Sequence, residues 1–457
     1  MATNDTQLLQ IAHFANMTRW SAQGSVFGDI KNRFPLVPLS TILKRIKEPI
    51  SIGDDVLYKR ITVRNNGRGV VQRDELYGRE IGTKRQFLAH AGQFIISRID
   101  ARNGAFGIVP KELDGAVVTN DFWLFDVQKA LPEYLMLVLS SERFQQYWQT
   151  QSSGTTNRQR VSEDDFLDSM ISLPSIKTQL LLVSRYDKTL EVAKTNNQKA
   201  KNLESSINDV LLRRLNVASH IVSQEAYNSD RRSIHFYRFS ECDRWSVDYL
   251  LNKHSCMFIE KSIYPIVQAK DIMCSCQYGL SEKATEDAVG IPILRMNNIK
   301  NSNIDISNLK YVHSDIDSVD KYILHNGDLL LNRTNSKELV GKTAVFTLSG
   351  KYVFASYLIR VVIDARIADV KYINYLFASK IIRSQIDLLS RQVLGQANIN
   401  VAELKSLKLP LPPLEVQRDI VMEIDKIIQD INACRRKADE LKKSAVLEFE
   451  EAIFDEA

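Results

Sequence analysis

The chain has 457 residues, 44% of them apolar and 25% charged, with a net charge of +5, the profile of a protein with buried cores rather than a disordered or fibrous one. No run approaches the roughly 20 apolar residues of a membrane span, and the start, MATNDTQLLQIAHFANMTRW, lacks the basic end and apolar stretch of a signal peptide. Five cysteines, an odd number without regular spacing, point to a reducing compartment, so the expected location is the cytoplasm.

Taken in order, the chain reads as a mixed domain over 1–175, a long helix over 176–216, a linker over 217–240, a second mixed domain over 241–412 and a second long helix over 413–457. In the first domain Phe94-Ile95-Ile96 and "GAVVTNDFWLFDV" are strand candidates, rich in β-branched and aromatic residues between turn formers. "PEYLMLVLSSERFQQYW" then reads as an amphipathic helix, with Pro132 suited to its first turn. The second domain repeats the pattern with Leu329-Leu330-Leu331, "YVFASYLIRVVID" and "VKYINYLFASKIIRSQI". Pro174 breaks the chain before the first long helix, and Pro410, Pro412 and Pro413 break it before the second.

The long helices carry the strongest periodicity. In the first, Leu182, Tyr186, Thr189, Ala193, Asn196, Ala200, Leu203, Ile207 and Val210 fall at alternating steps of four and three. In the second, Ile420, Ile424, Ile427, Ile431, Cys434, Ala438, Leu441 and Ala445 do the same, each 238 residues after its counterpart. An a/d rhythm held that long turns one narrow stripe toward a partner helix. The first helix must deliver the chain to the second domain, so the second can bury its stripe only by running back along it. An antiparallel two-helix coiled coil is predicted, a rigid spacer on the order of 50 Å long with an approximate two-fold axis. Residues 179–215 carry +3 and residues 417–457 carry −4, a balance suited to mutual pairing. For Asn196 two readings stay open: it sets register, or the centre of the seam simply tolerates polarity.

The repeat extends beyond the helices. Arg19-Trp20-Ser21 matches Arg244-Trp245-Ser246, with both tryptophans expected in cores, and Arg60 matches Arg295. "GQFIISR" (92–98) matches "GDLLLNR" (327–333), and Tyr134, Val161 and Pro174 match Tyr372, Ile399 and Pro412. The offset creeps from 225 to 238, as loop insertions between two copies of one domain would make it.

Catalytic signatures are missing. Gly67-Arg68-Gly69 lacks the third glycine and the strand-to-helix setting of a dinucleotide fingerprint, and no Walker A, HExxH or GxSxG sequence occurs. His254, Cys256, Cys274 and Cys276 have the chemistry of metal ligands, but Cys-x-Cys is not the usual zinc spacing, so they read as structural thiols and no metal is expected. The basic residues say more. Tyr58 to Asn103 holds eight arginines and two lysines against four acids, in Gly/Asn-punctuated segments "KRITVRNNGRG" and "SRIDARNG". The candidate DNA contacts there are Arg60, Arg64, Asn66, Arg68, Arg98, Arg102 and Asn103. Their sparser counterparts are Arg295, Asn297, Asn298, Arg333, Asn335 and Lys337. Arginine can donate two hydrogen bonds to guanine and asparagine can bond adenine at two edges, so such mixtures on loops suit base reading, with the remaining cations on phosphates.

Taken together, the chain resembles the specificity subunits of type I restriction–modification systems. The resemblance rests on "GQANINVAELKSLKLPLPPLEVQ" (395–417), its weaker copy "GTTNRQRVSEDDFLDSMISLPSIKTQ" (154–179) and "GDLLLNR", in that order across two halves. The first copy departs by having Pro174 alone where the second has Leu-Pro-Leu-Pro-Pro. The resemblance implies an α+β fold of two target recognition domains joined by the antiparallel coiled coil, each domain contacting one half of a split double-stranded DNA target. It also implies no catalysis in this chain. Two modification methyltransferase subunits, docked on the coiled coil, would carry S-adenosylmethionine, and restriction subunits would use ATP and Mg to cleave. Two alternatives from other classes are an architectural coiled-coil adaptor without DNA specificity and a stand-alone nuclease or methylase, the latter opposed by the missing motifs.

Overall fold

The computed structural model describes residues 33–150, 162–217, 238, 262–313, 319–393 and 396–454. The tryptophan pair Trp20 and Trp245, most of the 217–240 linker, Val161, and His254 and Cys256 lie outside the described residues. The chain divides into two compact units, one formed by 1–197 with 436–457 and the other by 198–435.

In the first unit, Leu43–Ile46, Phe122–Val127, Phe94–Ser97 and Phe106–Ile108 form, in that order, an antiparallel four-stranded sheet. Phe94, Ile96, Trp123 and Phe125 point into one core with Phe166, whose ring lies 6.2 Å from that of Phe94. Ile95 and Leu124, on the opposite face by strand alternation, serve a second core with Ile61, Val63 and Val118. Sheet positions buried on both faces explain why "FIIS" and "FWLF" read as continuous apolar runs. The second core lies under a five-stranded sheet ordered Pro49–Ser51, Arg85–Ala89, Ala116–Val118, Leu57–Val63 and Val70–Tyr77, in which only Leu57–Val63 and Ala116–Val118 run parallel.

The second unit repeats the four-stranded order with Met273–Tyr278, Leu358–Ile363, Leu329–Asn332 and Thr343–Val345. It also repeats the parallel pair, here Ile291–Leu294 with Val353–Phe354. Each predicted strand segment, 115–127 and 352–364, is in fact two strands, because a turn carries the chain from one sheet to the other. Pairing also revises one match between the copies. Phe122 and Leu358 hold equivalent places, facing Ser97 and Asn332. Counting back, Val117 corresponds to Val353, and their parallel partners are Arg60 and Ile293. Ile293, not Arg295, therefore occupies the place of Arg60; two residues of slippage keep the same face and are invisible to alternation.

Each predicted amphipathic helix is likewise broken in two, Pro132–Ser140 with Glu142–Thr150 and Val370–Ala378 with Lys380–Leu389. The hinge is a serine in extended conformation, Ser141 (φ −61°, ψ 146°) or Ser379 (φ −74°, ψ 159°), whose Oγ donates to the carbonyl of Val138 or Leu376 at 2.6 Å. Serine offers the backbone an alternative to the helical bond, which ends one helix and starts the next.

The long helices run Ile176–Leu215 and Leu414–Ile453. Each enters through the same buried device. Gln179 accepts the Leu131 N–H and donates to the Pro174 carbonyl, both at 2.8 Å. Gln417 accepts the Asp369 N–H at 2.8 Å and donates to the Pro412 carbonyl at 2.7 Å. Beside them the hydroxyls of Tyr134 and Tyr372 donate to the carbonyls of Ser172 and Pro410 at 2.7 Å. All of these pairs lie 238 apart, so the constant offset in sequence is the repeat of one polar lock.

Within each unit the long helices are antiparallel. In the first, Tyr186, early in one helix, meets Phe449, late in the other, ring to ring at 6.2 Å. In the second, Glu204, Arg213 and Arg214 pair with Arg435, Glu423 and Asp419, partners that fall in number as the first helix rises. Of the seam residues, Ala193, Ala200, Ile420, Ile424, Ile431 and Ala438 are buried. Leu182, Tyr186, Asn196, Leu203, Ile207, Ile427, Cys434 and Leu441 are half-buried. Asn196 donates to the Val192 carbonyl of its own helix at 2.8 Å, which satisfies its amide locally.

Candidate nucleic-acid interface

The fold brings the two basic segments of the first unit together. The N–H of Asn66 donates to the Asn103 carbonyl at 2.7 Å and that of Gly67 to the Gly104 carbonyl at 2.9 Å. These bonds seat the Arg64–Arg68 turn on the Ala101–Asn103 turn. Asn66, Gly67 and Gly104 all have left-handed backbones (φ 59°, 62° and 68°), and a Cβ on Gly104 would lie 3.2 Å from the Asn66 backbone. Glycine suits both this left-handed backbone and so close an approach. Arg64, Asn66 and Arg68 are exposed, as is Asn103, whose amide lies 3.4 Å from Asp100. Arg102 belongs to the same turn; its side chain lies outside the described residues.

Arg60 stands apart. Its guanidinium makes a two-pronged bond to Asp74 on the neighbouring strand, 2.7 Å at each contact. That hydrogen bonding holds the Asp74 carboxyl below its ordinary range and raises the arginine. The donors that face a base in the sequence reading are engaged across the sheet instead.

In the second unit the loop after Ile291–Leu294 meets the end of Leu329–Asn332, where the Asn332 amide donates to the Met296 carbonyl at 3.4 Å. Arg295, Asn297, Lys310 and Tyr357 line a cleft of ≈ 400 Å³ with Glu282 and Leu280. Arg295 is half-buried and donates to the Asn308 carbonyl at 3.2 Å, whereas Asn297 is exposed. Asn298 is buried: its Oδ1 accepts the Arg295 N–H, and its Nδ2 donates to the carbonyls of Asp305 and Asn308. It holds the loop and has nothing left for a base. Asn335 is half-buried in a short strand, its Oδ1 accepting the Ser336 N–H, and Lys337 is exposed.

Arg98 and Arg333 directly follow equivalent strands, Phe94–Ser97 and Leu329–Asn332. Each main-chain N–H donates across the sheet, to the carbonyl of Asp121 at 2.8 Å or of Tyr357 at 3.0 Å. Each guanidinium lies over an aromatic ring, Trp123 at 5.4 Å and Tyr278 at 4.6 Å. Sequence reading missed both platforms, since neither aromatic is adjacent in the chain and only strand pairing brings it under the arginine.

Cys274 is exposed and Cys276 half-buried, 3.7 Å from the Met273 sulfur. Among the described residues no group of three metal-ligating side chains converges, and no helix is long and apolar enough to cross a membrane.

Residues 266–443 match the family described as the type I restriction modification DNA specificity domain. The matched segment comprises the core of the second unit and most of the helix Leu414–Ile453, and the resemblance to type I specificity subunits is borne out. The chain is 31% identical over 201 residues to the putative type I restriction enzyme MjaX specificity subunit of Methanocaldococcus jannaschii, covering 42% of this chain and 47% of that protein. It is 26% identical over 171 residues to the type I restriction enzyme EcoKI specificity subunit of Escherichia coli K12, covering 37% of each. The chain thus matches less than half the length of either relative. A solved structure described as the structural basis of complex assembly and conformational transition of the type I R-M system superposes with a TM-score of 0.56. It covers 93% of this chain and 98% of that one at 15% identity, which establishes likeness of fold.

Proposed function

We propose that this chain is the DNA-recognition subunit of a type I restriction–modification complex, with each unit reading one half of a bipartite double-stranded target. One observation carries the proposal: the sheet order of the segment that matches a DNA specificity domain recurs in the first unit, and in each unit the fold gathers separate Arg/Asn-bearing loops at one place. Exposed arginine and asparagine on rigidly seated turns can reach base edges without paying the entropy of ordering a free loop. The chain would act without catalysis of its own, in the cytoplasm. Two methyltransferase subunits bound to the long helices would bring S-adenosylmethionine, and restriction subunits ATP and Mg. A target adenine would have to leave the duplex to reach a methyltransferase site. The adaptor alternative finds less support, because the 266–443 match is to a DNA specificity domain.

The test is co-expression with a methyltransferase partner followed by sequencing that reports methylated adenines. A motif of two short specified blocks around an unspecified gap is expected. Methylation without such a motif, or none at all together with no retention of duplex DNA, would overturn the proposal.

A further inference from the structure

We infer that Arg98 and Arg333 are a matched pair of phosphate anchors, one per half-site, that hold DNA without reading its sequence; the inference rests on the recognition function proposed above. The two residues close the repeated stretches 92–98 and 327–333, which are built alike from their first residue. Gly92 and Gly327 have left-handed backbones (φ 86° and 93°). The side chains of Gln93 and Asp328 accept the N–H groups of His90 and His325, each at 2.9 Å. The strands that follow pair in one register, and the arginine main chains bond to equivalent carbonyls.

The rings beneath the two guanidiniums are not equivalent. Trp123 lies on the strand beside Arg98, and its counterpart in the second unit is Ile359, while the ring under Arg333 comes from Tyr278 on the next strand over. Different strands thus supply an aromatic face to the same arginine. A guanidinium within about 6 Å of a ring centroid is attracted to the ring face and keeps its edge donors for other partners. Among the described residues the Nε of each arginine is buried without a hydrogen-bond partner. Both side chains are half-buried, which leaves the outer part of each guanidinium open to an anion arriving from outside. The surrounding loops differ between the units in length and residues, as readers of different sequences must. What two unlike half-sites share is the sugar–phosphate backbone, so a residue repeated in its place on the sheet and set against a ring in both units fits phosphate and not a base.

The experiment measures retention of a random-sequence duplex DNA pool by the full-length chain over a salt series, with sequencing of the retained fraction. Arg98→Ala and Arg333→Ala should each weaken retention of every sequence by one factor, on the order of tenfold at low salt, and lower the log–log salt slope by about 0.9. The retained sequences should be those of the unaltered chain. Arg98→Lys and Arg333→Lys, which keep the charge, should retain most of the slope, a rescue that a role in folding alone would not produce. Relaxed preference at a single base position overturns the anchor in favour of a reader, and variants indistinguishable from the unaltered chain overturn it outright. An unaltered chain that retains no duplex overturns the recognition function itself, and this inference with it.

Discussion

Gln179 and Gln417 are each fully buried, and each accepts an N–H that a helix start leaves without a partner and donates to a proline carbonyl just before its own helix. Gln417→Leu would keep the volume while orphaning the Asp369 N–H and the Pro412 carbonyl. Each buried group left unpaired costs about 1–3 kcal/mol, so chemical denaturation should show a loss of that order; a midpoint unchanged from the natural chain would mean the lock carries no weight. His90 offers a pH readout in the first unit. Its hydrogen bond with Glu48 at 3.0 Å, helped by Asp114 at 3.3 Å, raises its proton affinity above the ordinary value. A group whose pKa is raised by folding stabilises fully below its unfolded value, near 6.5, and that contribution fades as pH rises through the folded value. The imidazole is 41% exposed, so the effect is small. Thermal melts of the natural chain should lose stability across that interval while His90→Gln stays flat, and parallel curves would remove His90 from the response.

The long helices show what periodicity can and cannot say. The centre of their stripe is built of alanines 193, 200 and 438 with Ile431, all buried, while about half of its positions are only partly covered. Two helices meeting without a further layer leave their seam half open, unlike the ends, where Ile420 and Ile424 join the domain core. Lysine at Ile431, 4% exposed, should destabilise by roughly 3 kcal/mol or more. Lysine at Met422, 63% exposed on the same helix, should change stability by no more than about 0.5 kcal/mol. Equal melting temperatures for the two variants would contradict the packing described. The charge balance between the helices is realised in Arg213 and Arg214 against Glu423 and Asp419. These are exposed pairs, which favour the antiparallel partner without adding much stability.

For the whole molecule, the recognition function proposed above makes the repeated unit testable as two separable readers. Each unit has its own cores, its own basic loops and its own polar lock. Replacing residues up to about 170 with those of a relative should change one block of the methylated motif and leave the other intact. Sequencing methylated adenines in cells carrying the exchanged chain reads this directly, and a change in both blocks would mean that the units do not read independently.

Heptad spacing, proline breaks and the 238-residue offset were legible from sequence alone because they are local or periodic: they follow from which residues share a helix face and where the backbone cannot continue. So were the strand cores around "FIIS" and "LLLN". The serine hinges, the splitting of each apolar run between two sheets, and the true counterpart of Arg60 required the folded chain, since alternation reads a shift of two as no shift at all. The same holds for the candidate site. Composition marked the arginines and asparagines, but tertiary pairing decided that Arg60 faces Asp74, that Asn298 is buried in its own loop, and that Arg98 and Arg333 lie on rings from other strands. Side-chain partners distant in the chain set which donors remain free, and no one-dimensional pattern carries that information.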